Sequence, residues 1–199
     1  MALYFDAVRI PAHIQGALAY ISDPSYWKKV NIEEESYVPL VLFRYGRSAA
    51  AYRVLFNLSS SDKPRREYPE VSYAVVAAIV SGAMGIEPVH AGSEWEVRTL
   101  PQPVSSAETL SVDSLQIRGN VVNVTHNGEE STQFENREGP PIRWQAAFKG
   151  AIDLLYVDGK PERATQGSLG DGSRISWVLV SVKPGASTTV GRRMKAQTP

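Results

Sequence analysis

The chain has 199 residues, 43% of them hydrophobic, which is enough for one core, and its 21 Lys and Arg balance its 21 Asp and Glu. A net charge of zero removes any global pull toward nucleic acid or anionic lipid, so such partners must be met by local patches. The absence of cysteine excludes disulfides, thiolate metal sites and thiol nucleophiles, and it suits a reducing compartment.

The N-terminal stretch Met1 to Asp6 has neither the basic region nor the apolar run of a signal peptide, so none is expected. Ile14, Ala17, Leu18 and Ile21 recur at helical spacing behind Pro11, and Asp23-Pro24 reads as a stop. Val38 to Tyr45 is an apolar run interrupted by Pro39 and reads as a strand. Tyr52, Val54, Phe56 and Leu58 alternate with other residues at the period of a half-buried strand, which ends in the polar turn Ser59 to Asp62. The next segment reads as a helix opened by Pro69 and Glu70, with Val71, Val75, Ala78, Ile79 and Gly82 on one face. Its apolar stretch, Val71 to Met84, is too short and too polar to span a bilayer.

The second half reads as β. Glu94 to Leu100 is a strand, and Leu115 to Arg118 and Val122 to Thr125 flank a Gly119-Asn120 hairpin. His126-Asn127-Gly128 reads as a turn. Trp144, Phe148, Ile152, Leu154 and Tyr156 fall on one face of a long strand closed by Asp158-Gly159, and Ile175 to Val182 is a further apolar strand. About seven strands with two helices predict an α+β fold: a strongly bent antiparallel β-sheet with one main packed helix and a smaller one. The expected organisation is an N-terminal segment 1–37 that could serve as an assembly arm, a globular domain 38–188, and a basic flexible tail 189–199.

No constellation in the sequence asks for a reaction. His13, His90 and His126 lie far apart and outside metal spacings, and the glycine-rich Gly167 to Gly172 lacks the Lys-Ser/Thr of a phosphate loop. Glu33-Glu34-Glu35 and Glu129-Glu130 read as solvated acidic loops. The expectation is a protein that is not an enzyme, with no cofactor, no metal and no small-molecule substrate.

The remaining signals are for binding. Lys63, Arg65 and Arg66 form a basic corner, and Lys183, Arg192, Arg193 and Lys195 give an acid-free basic tail; both are candidates for contact with anionic lipid or ribonucleoprotein. Lys28 and Lys29 beside Tyr26 and Trp27 could add an interfacial anchor. The uncharged, proline-containing stretch Leu100 to Ala107 is a candidate self-association loop through Leu100, Val104 and Ala107.

The order of three segments resembles the matrix proteins of rhabdoviruses. The first runs from the predicted strand Tyr52 to Leu58, through the corner Lys63-Pro64-Arg65-Arg66 with Tyr68, into the alanine- and valine-rich helix Val71 to Val80. The second is Pro141 to Leu154, with Lys149-Gly150 followed by alternating Ile and Leu, and the third is Trp177 to Val182 followed by Lys183 and Gly185. The family's Pro-Pro-x-Tyr budding motif and lysine-rich N-terminal arm have no counterpart here. The resemblance implies a homo-oligomer in the virion beneath the envelope, also found in host cytoplasm, at the membrane periphery or in the nucleus. Its partners would be the viral nucleocapsid, the anionic inner leaflet and the envelope glycoprotein tail. Two other classes share the pattern: a non-enveloped capsid or tail-tube subunit with a β-sandwich, and a small RNA-binding or silencing-suppressor module.

Overall fold

The computed structural model describes residues 2–5, 7–63, 69–91, 94–105, 107–169 and 171–194. The fold is α+β with two β-sheets, one of them curled into a half-barrel. The chain divides into two compact units, Met1–Ala83 and Met84–Pro199. That boundary falls inside the stretch 38–188 read from sequence as one body.

The first unit is helical: α1 (Pro11–Ser22), α2 (Pro24–Trp27), α3 (Ile32–Arg44), α4 (Ser48–Leu58) and α5 (Pro69–Ala77), the last running on into a π-helical turn, Ala78–Ala83. The helix expected from Pro11 is present, with Leu18 buried and Ile14, Ala17 and Ile21 against the core. Two expectations are overturned. Val38 to Tyr45 and Tyr52 to Leu58 are not strands but lie in and at the end of α3 and in α4. In α4 the buried positions are Ala50, Ala51, Val54 and Leu58, a helical stripe, and Phe56, which a strand would bury, is 72% exposed. In α3, capping decides: the Asn31 side chain accepts from the Glu34 N–H at 2.8 Å, and Glu33, Glu34 and Glu35 occupy the first turn, where the helix dipole favours them. Pro39 sits inside α3 and is buried. The expected pair of helices is thus five among the described residues. Residues of the 1–37 segment, Leu3, Leu18 and Ile32, are buried in the same core as Val41, Leu42, Phe43 and Val54.

The second unit is β. Its strands are β1 (Glu87–Ala91), β2 (Glu94–Thr99), β3 (Thr109–Ile117), β4 (Asn120–Asn127), β5 (Ser131–Glu138), β6 (Ile142–Lys149), β7 (Leu154–Val157), β8 (Lys160–Arg163), β9 (Thr165–Ser168), β10 (Arg174–Val182) and β11 (Ala186–Gly191). They form a five-stranded sheet, β1-β2-β6-β10-β9, and a six-stranded sheet, β3-β4-β5-β11-β7-β8. Two sheets therefore replace the single antiparallel one expected, and β2 pairs with β6 in parallel. The long strand expected from Trp144 to Tyr156 is two strands in different sheets. Gly150, at φ +99°, breaks it, and past the break Leu155 is buried while Leu154 is exposed.

The two sheets meet through Phe134 of β5 and Trp144 of β6, stacked with centroids 5.1 Å apart and both fully buried. The Trp144 Nε1–H donates to Thr99 Oγ1 at 2.9 Å, which satisfies the indole inside the core. A buried amide pair ties the sheets further. Asn120 Nδ2 donates to Asn136 Oδ1 at 3.0 Å, and Asn136 Nδ2 donates to the carbonyls of Pro140 (2.9 Å) and Val182 (3.1 Å). The tail is also revised: residues 189–191, expected to be flexible, belong to β11, an interior strand of the six-stranded sheet. Ser187, Thr188, Thr189 and Val190 give it a run of hydroxylated and β-branched side chains suited to a sheet.

Candidate interaction surfaces

The basic corner begins inside the first unit's own structure. Glu35, in the first turn of α3, is 1% exposed, and its carboxylate accepts from Lys63 Nζ at 2.8 Å and from Asn57 Nδ2 of α4. Lys63 therefore holds a buried carboxylate to the end of α4, and its side chain is only 25% exposed. Arg65 and Arg66 lie outside the described residues.

The basic residues after β10 do not gather. Lys183 is exposed in the turn between β10 and β11, where its carbonyl accepts from the Ala186 N–H at 3.1 Å. Arg192 and Arg193 follow the far end of β11, about 20 Å away at the rise of an extended strand. There the acidic turn meets them: Arg192 Nη1 lies 3.9 Å from Glu129 Oε2, and Arg193 Nε lies 3.7 Å from Glu130 Oε2. Arg193 is 85% exposed, so its pairing is solvent-screened. Lys195 lies outside the described residues. The aromatic neighbours of Lys28 and Lys29 are engaged internally, since the Trp27 Nε1–H donates to the Ile21 carbonyl at 2.8 Å and Tyr26 packs on Tyr20.

The loop candidate splits. Leu100 is 4% exposed and clusters with Ala147 and Ile175, and Pro101, Gln102 and Pro103 are buried. Val104 is 51% exposed, Ala107 is exposed, and the Val104 N–H donates to Glu108 Oε2 at 2.6 Å. Leu100 is thus spent on its own unit, and only the loop tip faces solvent.

A larger apolar surface lies on α5 and its π-turn, mostly on the side opposite the face expected to be buried, with Ile79 of that face exposed as well. In α5 and its π-turn the buried positions are Val71, Ala74, Ala78, Gly82 and Ala83. Tyr73 (77%), Val76 (57%) and Ile79 (43%) form an exposed stripe on the other side. Gly82 sets this rotation, because a Cβ there would come within 2.5 Å of the Phe43 ring, so the glycine lets the turn press onto α3. The helix is apolar nearly all round, and its wheel shows a second apolar side that the reading assigned to no partner.

Ionisable groups in the second unit are engaged with one another. Glu96, 4% exposed, accepts from Arg143 Nη2 at 2.7 Å and from Gln145 Nε2 at 3.1 Å, and Glu87 accepts from Arg98 Nη2 at 2.7 Å. His126 is fully buried and accepts and donates within the unit, and the His90 ring lies 4.3 Å from the Trp95 ring. Among the described residues there is no group of three or more His, Cys, Asp or Glu placed to hold a metal, and no helix long and apolar enough to cross a membrane. Comparison with family models and with curated proteins found no match.

Proposed function

We propose that the protein is a non-enzymatic assembly protein, and that its assembly is the matrix layer of an enveloped virus. Its copies would self-associate, condense the helical ribonucleoprotein and bridge it to the inner leaflet of the envelope. The observation that carries self-association is the Tyr73, Val76 and Ile79 stripe. No charged residue lies between Val71 and Ile86, so two copies can bring the same helix face together without repulsion, as an isologous contact requires. The zero net charge acts in the same direction.

The matrix reading draws support from two of the three segments of the resemblance. Pro141 to Leu154 contains β6 and Trp177 to Val182 lies within β10, and these strands are hydrogen-bonded neighbours. Of the first segment, the helix Val71 to Val80 is present, while Tyr52 to Leu58 is helical where the resemblance implies a strand. Lipid and ribonucleoprotein contact would rest on Lys183, Arg193, Arg65, Arg66 and Lys195, with Lys63 in a structural role.

Sedimentation velocity and vesicle flotation test this reading together. Val76→Asp should leave the helical circular dichroism intact and convert large assemblies to monomer. Flotation with phosphatidylserine vesicles should fade by roughly 0.5 M salt, where surface charges are screened within a few ångströms. Assemblies unchanged in the variant would refute the stripe as the contact. Absence of flotation at any salt would favour the second reading, a non-enveloped capsid subunit, which the two-sheet packing around Phe134 and Trp144 also suits.

A further inference from the structure

Independently of that reading, the first unit holds an apolar cavity of about 260 Å³. Leu3, Val38 and Val41 line it, and Tyr4, Tyr20, Tyr26 and Tyr37 wall it. A cavity of roughly 150 Å³ accepts benzene, so this one is large enough for a small organic molecule. The tyrosines come as two inclined pairs: Tyr20 and Tyr26 with centroids 4.9 Å apart at 62°, and Tyr4 and Tyr37 at 4.9 Å and 59°. In an inclined pair the edge of one ring meets at most one face of the other, so most of the ring faces are free of the partner ring, and those faces carry the negative side of the ring quadrupole.

Among the described residues, the only ionisable side chain in the lining apart from the tyrosines is Glu34. It is exposed, and its backbone is fixed by the Asn31 cap. Among the described residues no basic residue lines the cavity, and the neighbouring guanidinium of Arg44 sits outside the lining, 5.7 Å from the Tyr4 ring centroid. Acidic side chains act on two of the tyrosines. Burial raises the pKa of the Tyr26 hydroxyl and Glu34 raises it further; burial likewise raises that of Tyr37, with Glu33 and Glu70 adding to it.

These features select among ligand classes. An anion would meet Glu34 and the ring faces and be repelled. A primary ammonium carries three N–H donors and gives up a tight hydration shell on entering a mainly apolar lining, where Glu34 and the tyrosine hydroxyls are the side-chain acceptors. A neutral hydrocarbon would gain burial but nothing from Glu34. A fully alkylated ammonium has no donor to satisfy, presents apolar methyl groups to the cavity, and gains from both the aromatic faces and the carboxylate. We propose that the tyrosine-walled cavity with Glu34 at its rim binds a small quaternary ammonium ion, whether free in solution or as the choline headgroup of a lipid.

The test is an NMR shift titration of the full chain with choline, tetramethylammonium and the neutral tert-butyl isostere of choline. Both cations should bind saturably, with the isostere roughly tenfold weaker. Glu34→Gln and Tyr20→Ala alter exposed side chains, and amide spectra of both variants should confirm an unchanged fold. Each should weaken choline roughly threefold to tenfold, and Glu34→Gln should leave the isostere unaffected. Phosphatidylcholine vesicles separate the sources: capture displaced by free choline assigns the lipid headgroup, and no capture with choline still bound assigns a soluble ligand. An isostere as tight as choline, an unchanged ratio in Glu34→Gln, or no saturable binding of either cation overturns the proposal. Loss of assembly in Val76→Asp bears on the stripe alone, so the two readings fail separately.

Discussion

His126 has no exposed surface, and its two ring nitrogens are committed: Nε2 lies 3.0 Å from the Met84 carbonyl and Nδ1 2.8 Å from Thr132 Oγ1. The carbonyl can only accept, so Nε2 carries the proton and Nδ1 accepts from the threonine hydroxyl. Burial pushes the pKa down from 6.5 to about 4, against the smaller opposing effect of the Met84 carbonyl. The unfolded chain therefore binds this proton more readily than the folded one. Stability is complete above pH 6.5 and is lost as pH falls from 6.5 toward 4, by up to about 3 kcal/mol. Urea titrations at a series of pH values should show this slope, and His126→Gln should flatten it; an equal slope in the variant would assign the acid sensitivity elsewhere. The sequence held the clue, since Asn120, Val122, Val124 and His126 alternate on the buried face of β4. Reading His126-Asn127-Gly128 as a turn hides it, because the turn residues favour ending the strand at Thr125, two residues before β4 ends.

At the scale of elements, the β unit is legible in part: β2, β4, β6 and β10 and the end of β3 read as strands, while β1, β5, β8, β9 and β11 do not, and of the helical unit only α1 and α5 read as helices. The hairpin of β3 and β4 was found one residue out of register: Ile117 pairs with Asn120, so the loop is Arg118-Gly119, with Arg118 at φ +57°. The α3 and α4 segments deceived because their aromatic and β-branched residues favour strands locally, while burial against a shared core decides in favour of helix. Of the candidate surface, Leu100, Val104 and Ala107 were correctly seen as uncharged, but burial of Leu100 is a tertiary fact no local pattern carries. The same holds for Lys63, whose partner Glu35 lies 28 positions away. Glu35 joins the start of α3 to the end of α4, and this contact can be weighed. Lys63→Met should cost about 3 kcal/mol in chemical denaturation, because the carboxylate stays buried with only Asn57 to answer it. Adding Glu35→Leu to that variant should recover most of the loss. A single variant costing under about 1 kcal/mol would place the pair among the weak surface bridges.

Across the whole molecule, each unit carries its own core, that of the first running from Leu3 to Ala83 and that of the second holding Phe134, Trp144 and the Asn120–Asn136 amide pair. Residues 84–199 expressed alone should therefore fold, with a β-type far-ultraviolet spectrum and one sharp urea transition. A coil spectrum from that fragment would show that the second unit depends on the first for its stability.

The place of β11 bears on how the chain is made. In the order β3-β4-β5-β11-β7-β8, the strand of this sheet that is made after all the others fills the slot between β5 and β7. Until then the sheet exists as two separate ribbons, each with a bare edge of unpaired amides and carbonyls. At about 5–20 residues per second, the span from Val157 to Gly191 keeps both edges open for a few seconds of synthesis. A nascent chain stalled in that interval presents the bare edges of β5 and β7 to any neighbouring chain on the same message, the exposure by which partly made sheets pair with the wrong copy.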